Sequence, residues 1–408
     1  MHIVLLNDDA LPSARGGSAV ICEVQRQALK GRGYEVTLIT THQDGTPEKE
    51  WSDPFGRIIS LPVHYPLAER HKRSLKMPAV SAMLDRVLQK LKPDVVHAHT
   101  IHTYLTYDAL RVARTHTKKV FMTAHDTLLV SYGRVGSQRY IRDALKGRPH
   151  KLSVLDHIAA VGRGYVPSRN IEIRRALRES GATVISISHT LDHFLHANGI
   201  QHTVVIENAL PAKPIPPDSL VRTFRSHLGL MGPTVLFGGR ISADKGINKL
   251  FEAMDLVIAA VPDAQLLVVG DRERLDKGMA NASERVRKQI VPTGWISQEN
   301  MSLAYAAADV VTTPSIYLDA FNIMNIEAMH AGKPVVGTCF GGTAEIVVDS
   351  VTGYVRNPLD TLAFGEAITD LLKDPVRAKH MGEEGRARAE HLYGVDRHIE
   401  RHLTLYST

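Results

Sequence analysis

The stretch TVLFGGRISADKG, residues 234–246, decides how the chain is read. Strand-forming residues from Thr234 to Phe237 run into paired glycines, then the cation Arg240, a polar turn, a second cation at Lys245 and an amphipathic run from Ile247 onward. Strand, glycine loop and helix in that order start a βαβ unit. Just upstream lies PAKPIPPDS, residues 211–219, whose four prolines suit neither a helix interior nor a central strand. The unit at 234 is therefore a restart after a linker.

The same rhythm precedes the linker. HIVLLN, EVTLIT, DVVHAH, KVFMTAH, TVISIS and TVVIEN are short β-branched runs, with helical patterns near Ser18 to Gly31 and Ala79 to Leu91 between them. After the linker AQLLVVG, DVVTTPS and PVVGT continue it. Runs of this kind are buried on both faces and belong to parallel sheets covered by helices. At 408 residues the chain exceeds what one core supports, so two doubly wound α/β domains are expected, residues 1–212 and 213–391. Two such sheets in series leave a cleft at the carboxyl ends of their strands, and the loops just after strands are where chemistry belongs.

Composition narrows the classes of function. No run approaches the roughly 20 apolar residues of a membrane span, and MHIVLLNDDA lacks the basic region and cleavage site of a signal peptide, so a cytoplasmic protein is expected. Two cysteines, Cys22 and Cys339, exclude a disulfide framework and a cysteine-based zinc site. The formal charge of +6 is concentrated: Tyr132 to Ala182 holds 11 Lys/Arg against 4 Asp/Glu. Nucleic acid is disfavoured, because no aromatic residues are interleaved with those charges and no binding motif accompanies them.

Three loops carry the site. Gly239, Arg240 and Lys245 set two cations beside exposed backbone donors between strand and helix, a diphosphate-sized arrangement that is not a Walker loop. TPSIYLDAFNIMNIEAM, residues 313–329, places Asp319 in a loop and Glu327 in the helix that follows. Asn322 and Ile323 open that helix, whose free N–H groups suit a phosphate; Glu327 suits a ribose diol and Asp319 the hydroxyls of a sugar ring. Gly16 and Gly17 stand before the first helix without the dinucleotide fingerprint, read either as a turn or as an anion-binding start. Hydroxyl-binding acids beside phosphate-binding cations describe a nucleotide-sugar.

With GKPVVGTCFGGTAEIVVDSVTGYV, residues 332–355, these motifs resemble family 4 of the retaining glycosyltransferases, of GT-B fold: two Rossmann-like domains facing a central cleft. The match covers nearly the whole second domain and fewer residues of the first. The resemblance implies Arg240 and Lys245 on the donor diphosphate, Glu327 on the ribose, Asp319 on the transferred sugar, and backbone donors from Phe321, Asn322, Ile323 and Met324 on the phosphate. It also implies Gly16 and Gly17 over the phosphates, His125 beside the sugar, Trp295 and Ile296 along the base, and a closing helix, 392–408, packed back on the first domain. Two positions depart from the family pattern: Asp319 where Glu is usual, and Asn322 where Gly is usual.

The activity so implied is transfer of a sugar from a UDP- or GDP-sugar to a hydroxyl, through an oxocarbenium-like state, with retention by front-side displacement. Fixed cations stabilise the leaving diphosphate, so no cofactor and no metal is expected; neither H-E-x-x-H nor an aspartate cluster is present, and Asp8 and Asp9 read as a loop facing acceptor or solvent. Asp126 reads as a base or as a strand-end turn residue, and His97 and His99 as core groups rather than metal ligands. The basic segment, with HYPLAERHKRSLKMP at residues 64–78, reads either as a contact for a phosphorylated or lipid-linked acceptor at an anionic membrane or as a solvated face. The competing readings are an epimerase or phosphorylase on the same architecture, or a non-catalytic nucleotide-sugar-binding protein.

Overall fold

The computed structural model describes residues 1–11 and 16–408. Its contacts divide the chain into two compact units: residues 1–135, 149–209 and 395–408 form the first, residues 136–148 and 210–394 the second.

The first unit is built on an eight-stranded sheet: β1 (His2–Leu6), β2 (Glu35–His42), β3 (Lys49–Asp53), β4 (Gly56–Pro62), β5 (Val95–Ala98), β6 (Lys119–Ala124), β7 (Thr183–Ser186) and β8 (Thr203–Val205). The order is β3-β4-β2-β1-β5-β6-β7-β8, with β3 antiparallel to β4 and the other pairings parallel. β1 is wholly buried, as a central strand covered on both faces must be. Its core joins Ile3, Leu5, Val95, Phe121 and Ile185 of the sheet to Leu29 of the first helix and to Ile399 and Tyr406 of the last.

The second unit has six parallel strands, β9 (Thr234–Gly238), β10 (Gln265–Val269), β11 (Ile290–Gly294), β12 (Val310–Thr313), β13 (Val335–Thr338) and β14 (Gly353–Arg356). They lie in the order β11-β10-β9-β12-β13-β14. The winding reverses between β9 and β12, so the loops leaving these adjacent strands diverge and open a crevice at the carboxyl edge. Helices Ile247–Ala260 and Thr361–Lys373 cover a core of Val235, Phe237, Leu250, Phe251, Leu266, Val268, Phe364 and Ile368.

Two boundaries differ from the sequence expectation. Residues 136–148, counted above with the first domain, group with the second unit: a Cβ on Gly136 would meet the Tyr317 side chain at 3.0 Å, and Tyr140 packs on Phe340 with ring centroids 6.2 Å apart. Residues 210–212 do the same, the Leu210 amide donating to the Tyr393 carbonyl at 3.2 Å. The last helix is Val395–Ser407, and within the first unit Tyr406 hydroxyl meets Gln25 Nε2 at 2.7 Å and His97 Nδ1 at 2.5 Å.

Candidate functional site

The crevice residues of the second unit converge on β9 and β12. Gly238 ends β9 beneath the Met324 side chain, whose Cε would stand 2.9 Å from a Cβ there, and Gly239 follows at φ +100°. Met324, in the helix Ile323–His330, thus lies over the glycine loop and ties the two loops together. After this turn Arg240 keeps Nη2 3.8 Å from Asp244, while its Nε is buried without an acceptor among the described residues. Lys245 is carried by the short turn Ala243–Lys245 and followed by Gly246 at φ +81°, whose Cα presses on Pro314 so closely that a Cβ would sit 1.9 Å from the Pro314 carbonyl oxygen. That approach delivers Lys245 Nζ to Asp319 Oδ2 at 2.6 Å.

Asp319 is buried and also accepts from Ser315 Oγ at 2.9 Å. Its backbone is clamped by the loop after β13: the Gly342 amide donates to the Asp319 carbonyl at 2.9 Å, and Gly341, at φ +78°, approaches where a Cβ would be 2.2 Å from that oxygen. Burial alone would lower the Lys245 pKa, but the charge of Asp319, helped by the hydrogen bonds to Asp319 and Tyr317, outweighs it and holds the ammonium above its usual range. Lys245 and Asp319, expected to have separate duties, therefore form one buried ion pair. Such a pair is costly to break from one side only.

Glu327 stands one turn into its helix, where Tyr305 hydroxyl donates to Oε2 at 2.7 Å. Burial raises the carboxyl pKa, while the Tyr305 hydrogen bond and the charge of Lys213 oppose the rise. The helix start is less open than expected. Asn322 is its N-cap, and Oδ1 accepts from the Met324 amide at 3.2 Å. Of the four backbone donors from Phe321 to Met324, that of Met324 is thus already taken, because Asn brings its own acceptor where Gly would bring none. Phe321 is buried against Tyr393 in an edge-on contact at 5.8 Å, and Ile323 is partly exposed. Trp295 and Ile296 follow β11 at the sheet edge, with Trp295 49% exposed.

The first unit holds the other expected residues. Gly16, in extended conformation, caps the helix Gly17–Gly31 after β1. His125 directly follows β6, and its Nε2 meets His99 Nδ1 at 2.9 Å. Behind it the rings of His99 and His97 stack at 4.5 Å and those of His97 and His402 at 5.5 Å, while His398 meets His402 at a tilt, 4.3 Å apart. Burial, then His398 and His102, push the His125 pKa down to about 3, so the ring is neutral at pH 7 and serves as a hydrogen-bonding group, not a cation. His97 and His99 are core groups, His97 Nε2 meeting Thr123 Oγ1 at 2.7 Å.

Asp126 turns back on its own loop, accepting from the Leu128 amide at 2.8 Å. Asp8 does not face acceptor or solvent as expected. It is buried, and its carboxylate gathers the amides of Thr103, Tyr104 and Leu105 at 2.7–3.0 Å, because the loop after β5 leaves three donors that need an acceptor. Sequence reasoning missed Asp8 in this role, and missed Tyr305 and Ser315; no local pattern links Tyr305 to an acid 22 positions on.

Comparison with known proteins places the chain in a family. The family model for "Glycosyltransferase Family 4" matches residues 15–214 and that for "Glycosyl transferases group 1" matches residues 223–388. A curated relative from Corynebacterium glutamicum, a GDP-mannose-dependent monoacylated alpha-(1-6)-phosphatidylinositol monomannoside mannosyltransferase, is 29% identical over 59% of this chain and 65% of its own length. The chain thus spans just under two thirds of that relative. The alpha-maltose-1-phosphate synthase of Mycolicibacterium smegmatis is 28% identical over 100% of this chain and 99% of its own. Among solved structures, Anabaena HepE in complex with UDP superposes with a TM-score of 0.71 at 18% identity, covering 100% of both chains. Among the described residues no helix is long and apolar enough to cross a membrane. With one family model on each half and the GT-B fold throughout, the chain belongs to the GT-B glycosyltransferases of family 4 type.

Proposed function

We propose that this chain transfers a hexose from a nucleotide-activated donor, a UDP- or GDP-sugar, to a hydroxyl of a glycan, small-molecule or lipid-linked acceptor, with retention of configuration and without a metal ion. The observation that carries the reading is the second unit's crevice, where the unpaired Arg240 Nε, the Lys245–Asp319 pair and the Tyr305-held Glu327 meet around the ends of β9 and β12. An orphaned, buried guanidinium nitrogen is a donor waiting for an anion. Diphosphate on Arg240 and Lys245 leaves Glu327 to accept from the ribose diol and Asp319 to accept from the sugar.

The cations matter most as the bond to the sugar breaks, because negative charge then grows on the leaving phosphate and donors fixed in advance need no reorganisation. Attack on the same face lets the departing phosphate oxygen take the acceptor's proton. The reading assigns Gly16 and Gly17 to the phosphates, neutral His125 to a sugar hydroxyl, and Trp295 with Ile296 to the base. The GDP-mannose dependence in the name of one relative and the UDP bound in the Anabaena structure support the donor class.

Calorimetry with UDP, GDP and ADP, chelator present, tests the reading on the wild type and on Glu327→Ala. One nucleotide binding in preference, and largely lost in the variant, is expected. A folded sample that binds none of the three overturns it. With the preferred donor and an acceptor in hand, proton NMR of the product's anomeric coupling reports retention or inversion, and inversion would refute the front-side route.

A further inference from the structure

The helix Val154–Val161 is amphipathic the wrong way round. Its sequence is VLDHIAAV, and none of its residues is buried. Its polar side is turned inward. His157 packs on the Tyr132 ring at 5.2 Å and on Tyr165 at 6.2 Å. Asp156, its only acid, is folded back on the helix start, where Oδ2 accepts from Ser153 amide and hydroxyl at 2.7 Å each. At about 100° per residue, Leu155 and Ala159 lie on the side opposite His157. Leu155 is 76% exposed there and Ile158, on the adjoining flank, 43%, while Val154, about 60° round from His157, is 55% exposed. A helix settled in water hides its apolar face, so this one presents that face to another apolar medium.

The surroundings say which medium. His71 packs at a tilt on Tyr132 at 4.8 Å, and Tyr132 likewise on His157, so two ring contacts link this helix to the turn Arg70–Arg73. That turn reads RHKR, follows the exposed Leu67 and exposes Lys72 and Arg73, with Lys76 exposed just beyond. Lys151 and Arg163 are exposed just outside the two ends of the apolar helix. The acids nearby are committed: Glu69 to Arg73 at 2.8 Å, Glu179 to Arg111 and Arg175 at 2.5 and 2.8 Å, and Glu172 to the same two arginines at 3.7 and 3.8 Å. An apolar ridge framed by cations matches the acyl boundary and the anionic headgroups of a bilayer, each partner supplying what the other lacks.

We propose that the helix Val154–Val161 and the Arg70–Arg73 turn form a docking surface for an anionic lipid bilayer, the apolar face lying among the acyl chains and the cations on the headgroup phosphates. The proposal does not rest on the donor-site reading.

Co-sedimentation of the full chain with vesicles tests it. Binding is expected to phosphatidylcholine vesicles containing phosphatidylglycerol, and to weaken on adding salt. The double variant L155E/I158E, altered only at exposed positions, is expected to lose about tenfold or more in partitioning, and R70E/K72E to lose the dependence on phosphatidylglycerol. In L155W, tryptophan emission is expected to shift to the blue on mixing with vesicles. Circular dichroism and nucleotide calorimetry on the same samples check that each variant is folded. A wild type that stays in the supernatant overturns the proposal, as do variants that sediment like it. A mass in solution that falls from dimer to monomer in L155E/I158E, with vesicle partitioning unchanged, would instead make this face a contact between copies of the chain.

Discussion

Acidification from pH 7 to pH 5 is expected to destabilise the first unit preferentially, and the magnitude follows from its buried histidines. His97 is held down to about 3, first by burial and then by His125 and His398; His398 is held down to about 4, first by burial. Both rings are neutral in the folded chain at pH 5, whereas in the unfolded chain, with pKa near 6.5, both are protonated. The unfolded state therefore binds more protons, and stability rises with pH across this window. Each ring costs about 1.8 kcal/mol between pH 7 and pH 5, from roughly 1.3 pH units of differential binding at 1.36 kcal/mol each.

Asp8 works in the opposite sense. Burial raises it to about 6, so its penalty is present above that value and is relieved as pH falls, returning about 1.3 kcal/mol over the same range. Asp9 shifts in the same direction. His99, His125 and His402 add to the loss, all being lowered first by burial and then by neighbouring histidines, His398 among them in each case. A net loss of at least about 2 kcal/mol is expected, a large share of the 5–15 kcal/mol that folded domains possess. In the second unit, burial raises Glu327 and lowers His330, so their contributions oppose each other.

Hydrogen exchange followed by mass spectrometry distinguishes the two units, with peptides from β5 and β6 read against those from β9 and β12. Protection in β5 and β6 is expected to fall on acidification by more than about tenfold beyond the fall in β9 and β12, since each 1.36 kcal/mol is a factor of ten. His97→Gln removes one titrating ring and is expected to flatten the pH slope even if it lowers stability at pH 7. Equal loss of protection in both units, or an unchanged slope in His97→Gln, would refute the reasoning.

Four further outcomes bear on the site. Tyr305→Phe strips Glu327 of its hydroxyl donor, and nucleotide affinity by calorimetry is expected to fall about tenfold, the worth of one hydrogen bond to a charged group. Lys245→Met leaves Asp319 buried beside Ser315 alone; kcat is expected to fall about 100-fold or more, and thermal unfolding to show a loss of about 3 kcal/mol or more. Gly246→Ala puts a Cβ into the Pro314 carbonyl at a positive φ, so a loss above about 2 kcal/mol in chemical denaturation is expected. Asn322→Gly frees the Met324 amide at a cost of a few tenths of a kcal/mol in capping, and nucleoside diphosphates are expected to bind several-fold tighter; unchanged affinity would mean that amide does not meet the phosphate.

The sequence made the strands and their loops legible because parallel strands are continuous apolar runs, and ten of the fourteen were read from such runs. The four missed have other causes. β3 and β4 form a hairpin at the sheet edge, with the polar pattern KEWSD on β3. β11 carries Pro292 and is an edge strand as well, which masks it. β14 is short and starts at Gly353, whose φ of +154° lets the chain pass close to Val335. Arg240, Lys245 and Asp319 stood out by their places in the loops after strands, and Glu327 by its place in the helix that follows one of them. The pairing of Lys245 with Asp319 was not legible, because residues 74 apart meet only once β9 and β12 lie side by side. Asp8 was misread for a related reason: its partners arrive from a loop nearly 100 residues downstream.

The chain passes between its two units four times, after Val135, Arg148, Ala209 and Gly394. No single cut therefore releases an intact half. A fragment ending at Ala209 lacks the last helix, and with it Tyr406, the hydroxyl seated between Gln25 and His97 in the core. A fragment of residues 210–394 lacks the segment 136–148, whose Tyr140 ring lies on Phe340 beside the Gly341 turn. Nicking the linker at 211–217 is then an experiment in complementation: the pieces are expected to stay together through the exchanged segments and to part only when denatured. For protein engineering the usable seams are pairs of crossings, so a swap of donor-binding units between relatives has to carry the helix Gln138–Leu145 along with residues 210–394.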